Sequence, residues 1–222
     1  MKTLFTMNRK RDIVLSLFLT LFIISFAVVI TVFFKQLYYF DIDYLDISSL
    51  TGLSKDVLKM NYDVLIQYQS LFYQGTLQLP NFIMSNTGRI HFEEVKHIFE
   101  LIQMICIMTG IVSSIMIYQN IRDKEYRYLK LTSFLTVGIP LVIGFLASID
   151  FDKAFVIFHE IFFRNDYWIF DETTDPVIMA LPETFFMHCF ILIIVLIILG
   201  SLICYGIYKY QEKSILEKSI DV

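Results

Sequence analysis

Cysteine is scarce in this chain: three residues among 222, at positions 106, 189 and 204, each inside an apolar stretch. None lies in the polar segments between those stretches, so no disulfide framework is expected there. The three thiols read as small apolar fillers of helix interfaces. Charge is scarce too, at 18% against 56% hydrophobic residues, which is too apolar for an ordinary soluble domain of this length. Several familiar signatures are missing. There is no G-x-S-x-G elbow and no phosphate loop. An HExxH pattern begins at His159-Glu160 but fails at its fifth position, Phe163. Glu93-Glu94 followed by Lys96 and His97 is a short match to paired-glutamate metalloproteases, without a second pair of ligands at the right depth. Ser85 is a nucleophile only in principle, because its SNTG setting reads as a turn. No metal and no cofactor are expected.

What is present comes in blocks. Residues 13–34 (IVLSLFLTLFIISFAVVITVFF) carry no charge over about 22 positions, enough to cross a hydrocarbon core of roughly 30 Å. Residues 101–118, 131–148 and 185–207 are likewise long and uncharged. Four transmembrane helices follow, and the expected fold class is an all-α membrane protein. The first run is much longer than the roughly 7–15 residues of a signal-peptide core and lacks an A-x-A site, so it is read as a retained helix.

Basic residues set the expected orientation. Lys2, Arg9, Lys10 and Arg11 precede the first span. Arg122, Lys124, Arg127 and Lys130 fill the link between the second and third, and Lys209, Lys213 and Lys218 follow the fourth. Both termini are therefore expected in the cytoplasm of a multi-pass cell-membrane protein. The chain divides as 1–34 (N-terminus and first span), 35–96 (first outer segment), 97–149 (second and third spans), 150–183 (second outer segment) and 184–222 (fourth span and tail). The outer segments are acid-rich, so the net charge of −4 is a sum of opposite biases. Nothing in it resembles a nucleic-acid surface.

The outer segments have internal order. Leu58, Leu65 and Tyr68 recur at helical spacing behind Ser54 as N-cap, predicting a helix over about 55–69. Gly75 and Pro80 break it, and SNTGRI reads as a turn with Gly88 free to take positive φ. HFEEVKHIFE then opens a helix running into the second span. A further helix is expected from Asp152 to about Phe163, and Asp175-Pro176 reads as an N-cap with proline at N1. Dense aromatics suggest a mainly helical extracellular cap around an apolar pocket, although interfacial belts of Tyr and Trp account for part of them. Glu100 and Gln103, costly in lipid, point to a filled mouth at the top of the second span.

Four histidines are candidates for chemistry. His97 and His188, at the outer ends of spans, read as interfacial or packing residues. His91 and His159 lie in the outer segments. Asp152 stands seven residues before His159 on one helix face, with Phe155 and Phe163 four residues to either side; Asp166 joins them if the helix lasts that far. Desolvation by the rings would favour a neutral imidazole, whereas a carboxylate in reach would oppose that and orient the ring. From the residues alone, a core histidine and a base remain open readings.

HF-x-x-VK (from His91), FD-x-AF-x-x-FH (to His159), N-x-x-W (Asn165 to Trp168), TDPVIMALPETFF and GLSKDVLKMNYDVLIQY together resemble the bacterial membrane family of lipoprotein intramolecular transacylases, Lit. The resemblance covers most of the chain and departs at Asp171-Glu172, where Asp-Pro is the family expectation. It implies four membrane helices, an extracellular cap and a diacylglyceryl lipoprotein as substrate. The sn-2 acyl chain would move from glycerol to the α-amine of the N-terminal cysteine, leaving an N-acylated lyso-form lipoprotein. It implies His91 and His159 as the catalytic pair, with His159 expected as base and His91 as acid or oxyanion partner. Asp152, Arg164, Asn165, Trp168, Phe92 and Phe155 are expected to bind or orient substrate. Membrane lipid is the expected surrounding partner; the oligomeric state is not read. The other class open to these residues is a non-catalytic accessory protein that binds membrane lipid or lipopeptide.

Overall fold

A computed structural model describes residues 2–220. The side chains of residues 2–9, 139, 146, 215, 216 and 218–220, among them Lys2, Arg9 and Lys218 of the basic regions, lie outside the described residues. Among the described residues there are nine helices and no strand: α1 (Lys2–Phe33), α2 (Lys35–Tyr44), α3 (Ile47–Thr51), α4 (Lys55–Tyr68), α5 (Asn86–Arg122), α6 (Arg127–Ile149), α7 (Phe151–Phe162), α8 (Val177–Ala180) and α9 (Glu183–Ile220). Four of them, α1, α5, α6 and α9, are long and apolar enough to cross a membrane, as their charge-free runs predict. At 37 residues, α5 is about 55 Å long at 1.5 Å per residue, well beyond what a hydrocarbon core needs.

The chain forms two compact units. The first comprises residues 1–28, 104–144 and 193–222. Leu15, Leu19, Tyr128, Leu129 and Cys204 make its buried core, so Cys204 is the filler its setting suggests. Small residues let the helices approach closely, as helices in lipid require. A Cβ on Gly200 would overlap Ile23, and one on Gly110 would press on Phe22. Hydroxyls add polar links: Ser201 Oγ donates to Ser133 O at 2.8 Å, and Ser16 Oγ lies 3.0 Å from Tyr128 O. Outward-facing Leu17, Leu21, Ile111, Ile115, Leu202 and Ile203 are exposed, which suits a hydrocarbon solvent.

The second unit comprises residues 29–103 and 145–192. Its core gathers Tyr38, Ile42, Ile47, Leu58, Tyr62, Leu65, Phe82, Phe92, Val177 and Phe185. Tyr38 stacks on Tyr62 with centroids 3.9 Å apart, and its hydroxyl donates to Ala180 O at 3.0 Å. That bond satisfies a polar tip that would otherwise be costly to bury. The expected α4 is present with Ser54 as its cap. Helices α2 and α3 are additional to the sequence reading. Asp46, at φ 51, is the N-cap of α3, and Gly52, at φ 70, closes α3 as a left-handed C-cap of the kind glycine favours.

Two local expectations change. SNTGRI is not a turn: α5 begins at Asn86, and Gly88 is helical. Ser85 Oγ accepts the Gly88 N–H at 2.9 Å, so Ser85 is a helix cap. Gly88 is small because a Cβ there would overlap the Asp175 carboxylate. Nor does the Asp175 side chain cap α8. Its Oδ1 accepts the Ser85 N–H at 2.7 Å and its Oδ2 the Thr174 hydroxyl at 2.8 Å, while Pro176 occupies the N-cap position of α8.

Candidate active site

Helix α7, Phe151–Phe162, forms within a residue of the helix expected from Asp152 to about Phe163. Asp150 caps it, its Oδ1 accepting the Lys153 N–H at 3.0 Å, and it ends at Phe162, so Asp166 lies in the following irregular segment. Along α7, Phe155 and His159 share one face, and His159 is buried. The opposite flank exposes Ile157, Phe158, Ile161 and Phe162.

His91 projects from the second turn of α5, and its ring centroid lies 6.0 Å from that of His159. Rings enclose the pair. Phe163 packs edge-on against His91 at 4.7 Å and tilts against His159 at 5.6 Å. Phe170 meets His91 edge-on at 5.5 Å, and Phe92 lies against Phe170 at 5.6 Å. Trp168 stacks on His159 at 4.8 Å, and Phe155 lies 4.2 Å from it. The two histidines, 68 positions apart in sequence, thus share one aromatic chamber.

His159 Nδ1 lies 2.7 Å from the Phe155 carbonyl oxygen. A carbonyl can only accept, so Nδ1 carries the proton and donates. In the neutral ring Nε2 is then the basic nitrogen. Burial among the rings pushes the His159 pKa below 6.5, opposed by the Phe155 carbonyl. The group that orients the ring is therefore a backbone carbonyl one turn back, and the exposed Asp152 interacts with Glu183. His91 Nδ1 is buried without a hydrogen-bond partner among the described residues.

Of the other expected site residues, Phe92, Phe155 and Trp168 are part of the aromatic chamber. Asn165 donates from Nδ2 to Glu94 Oε1 at 2.8 Å and accepts the Tyr167 N–H at 3.0 Å, so it ties the 163–170 segment to α5. Arg164 is exposed. Sequence reasoning placed Phe163 beside His159 but missed Phe170 as a wall and Glu94 as the anchor of Asn165. Glu94 is one turn beyond His91, so a helical-face count from His91 could have found it.

The remaining polar residues have structural partners. Lys96 Nζ donates to the carbonyls of Tyr68, Ser70 and Tyr73 at 2.6, 3.2 and 3.1 Å, and pairs with Glu100 at 3.2 Å. Gln103 Nε2 donates to Gln69 O at 2.8 Å, and its Oε1 accepts the Leu71 N–H at 3.1 Å. Glu100 and Gln103 therefore serve the 69–73 segment instead of lining an open mouth. His188 Nδ1 lies 2.9 Å from both carboxylate oxygens of the fully buried Asp41. An open depression of about 720 Å³, lined by Lys35, Tyr39, Lys59, Met60 and Asp63 among others, contains neither His91 nor His159. Among the described residues no three His, Cys, Asp or Glu side chains converge as a metal-ligand set.

Comparison with known proteins adds a family. The family model described as lipoprotein intramolecular transacylase Lit matches residues 13–186. No curated protein matches the chain. Among solved structures, the in meso structure of the membrane integral lipoprotein intramolecular transacylase Lit from Bacillus cereus superposes with a TM-score of 0.92. It is 42% identical over 94% of this chain and 97% of that one. Two histidine variants of the Bacillus cereus protein, one to arginine and one to alanine, give TM-scores of 0.89 and 0.87 at 40% identity. They cover 98% and 96% of this chain and 97% of theirs.

Proposed function

The chain belongs to the lipoprotein intramolecular transacylase Lit family, and on that premise we propose that His91 and His159 carry out the proton transfers of an acyl shift within one lipoprotein. The protein is a membrane-integral acyltransferase, and its substrate class is a lipoprotein. The finer reading is a diacylglyceryl lipoprotein whose sn-2 acyl chain moves to the α-amine of its N-terminal cysteine. The observation that carries it is the pair of imidazoles 6.0 Å apart with His159 Nδ1 committed to Phe155 O.

The chemistry suits that pair. Nucleophile and ester belong to one molecule, so no serine or cysteine of the enzyme is needed. The amine attacks the sn-2 carbonyl and closes a ring through N, Cα, Cβ, S, two glycerol carbons, the ester oxygen and the acyl carbon. His159 Nε2 takes a proton from nitrogen as the C–N bond forms. His91 stands by the oxyanion or delivers the proton to glycerol oxygen as the C–O bond breaks. The His159 proton is finally available to balance that transfer. Each proton-transfer role is worth about 10²–10⁴-fold. Holding a floppy substrate in one pose can contribute up to roughly 7–11 kcal/mol, and this is the task we assign to Phe92, Phe155 and Trp168. Asn165 holds the wall that carries Trp168, and Arg164 and Asp152 mark the polar rim.

We further assign residues 35–96 and 150–183 to the extracellular face, with both termini cytoplasmic, from the distribution of Lys and Arg. A single residue, Asp150, separates α7 from the end of α6, and the exposed Ile157, Phe158, Ile161 and Phe162 of α7 suit contact with membrane lipid. Mass spectrometry of lipoprotein N-terminal peptides from cells with and without this chain tests the function. N-acyl lyso-form peptides are expected only with the chain and are lost in His159→Ala and His91→Ala. Acyl chains that stay on glycerol whenever the chain is present would refute the acyl shift.

A further inference from the structure

We infer that Glu94 is a substrate-binding residue of this site, its Oε2 receiving the α-ammonium group of the lipoprotein's N-terminal cysteine. The inference rests on the acyl-shift reading above and adds a residue to it. Glu94 follows His91 by three positions on α5, so the two side chains project from neighbouring points of one helix face. Its Oε1 accepts from Asn165 Nδ2 at 2.8 Å. Asn165 lies two residues after Phe163 and three before Trp168, the rings that pack against His91 and His159. The carboxylate thus stands where α5 meets the wall of the aromatic chamber.

Its second oxygen is the telling one. Glu94 Oε2 is buried and has no hydrogen-bond partner among the described residues, and the same holds for His91 Nδ1. A buried carboxylate oxygen without a donor is costly. Two such atoms one helical turn apart describe a place built for the polar end of a ligand. Beside its reacting ester the proposed substrate has one cationic group that fits. Its acyl chains, glycerol esters and thioether offer neither charge nor N–H, whereas an α-amine with an ordinary pKa of about 7.7–8.0 arrives largely as an ammonium with three N–H donors. One of those protons is released to water, and a second passes from the resulting amine to His159 Nε2 as the C–N bond forms. The neutral amine keeps an N–H directed at Glu94 while its lone pair attacks the ester, so the carboxylate fixes the nitrogen without taking the proton itself.

The test uses the full-length protein in nanodiscs and two synthetic lipopeptides with a non-transferable sn-2 ether, one bearing the α-amine and one des-amino. Each competes with a transferable diacylglyceryl lipopeptide. The wild type is expected to prefer the amine form by about tenfold or more, the scale of one charge-assisted hydrogen bond. Glu94→Gln keeps an oxygen for Asn165 but loses the charge; its preference should fall to near parity, with KM raised about tenfold and kcat changed less. Glu94→Asp, which keeps the charge, should retain part of the preference. An unaltered preference in Glu94→Gln would mean that the carboxylate only secures Asn165 and would overturn the inference. So would a wild type indifferent to the amine, which needs no variant to fold. Failure of the wild type to N-acylate the transferable lipopeptide is a separate result, and it would strike at the acyl shift itself.

Discussion

His159 and Phe155 are joined through the helix that carries both: the Nδ1–H of the imidazole donates to the Phe155 carbonyl oxygen at 2.7 Å. The ring is therefore aimed by a backbone group, and no carboxylate is needed to select its tautomer.

A pH dependence follows. Burial holds the folded-state pKa of His159 below 6.5, against the pull of the Phe155 carbonyl. As pH falls through 6.5 the unfolded chain binds a proton before the folded chain does, so stability falls with falling pH and is complete above 6.5. Thermal unfolding in nanodiscs should show a drop in Tm on acidification that is smaller in His159→Asn. The imidazole NMR signal of His159 should titrate below pH 6.5. A midpoint above that value would remove burial as the dominant influence.

The stack between Trp168 and His159, 4.8 Å apart, predicts a ring requirement. Trp168→Ala should lower kcat by about 10²-fold, the scale of a misplaced reacting group, whereas Trp168→Phe should cost far less. Single-turnover rates on a synthetic lipopeptide separate this from slower binding.

Lys96 predicts a structural loss instead. Its ammonium serves three carbonyls of the 68–73 segment, and removing it leaves them without their donor. Lys96→Met should cost about 3 kcal/mol, the upper range for hydrogen bonds to a charged group, and should open that segment to proteolysis. A variant as protease-resistant as the wild type would show that the carbonyls find other donors.

Asp41 and His188 make a contrasting pair, with a carboxylate wholly buried against an imidazole. Asp41→Ala should destabilise the fold by about 3 kcal/mol, as breaking a buried pair does, while the folded fraction keeps its acyl-transfer rate. A selective loss of rate at unchanged stability would instead draw His188 into the chemistry.

What was legible in the sequence follows from range. Charge-free runs reveal the spans because lipid imposes length and composition on them. The cap of α4 acts over three residues, so Ser54 could be matched to local pattern, whereas the Asp150 cap of α7 was not read. Helix α2 escaped because Tyr38, Asp41 and Ile42 bury a carboxylate on the inward face, which breaks the apolar rhythm a reader looks for. The partner of that carboxylate, His188, lies 147 positions away. Nor could the walls of the site be read in full: beyond Phe162 the chain leaves helical periodicity, and Phe170 returns to His91 by a path no spacing rule describes.

Gly88 has a consequence for aim. No side chain fits between this residue and the Asp175 carboxylate, which is itself held by the Ser85 N–H. A helix turns about 100° per residue, so a contact this close sets the rotation of α5 about its own axis at its first turn. His91, three residues on, takes its azimuth from that setting. The direction in which the imidazole faces is indexed by the atom that glycine lacks, and a methyl group at position 88 would turn His91 against the rings that α7 and the segment after it supply.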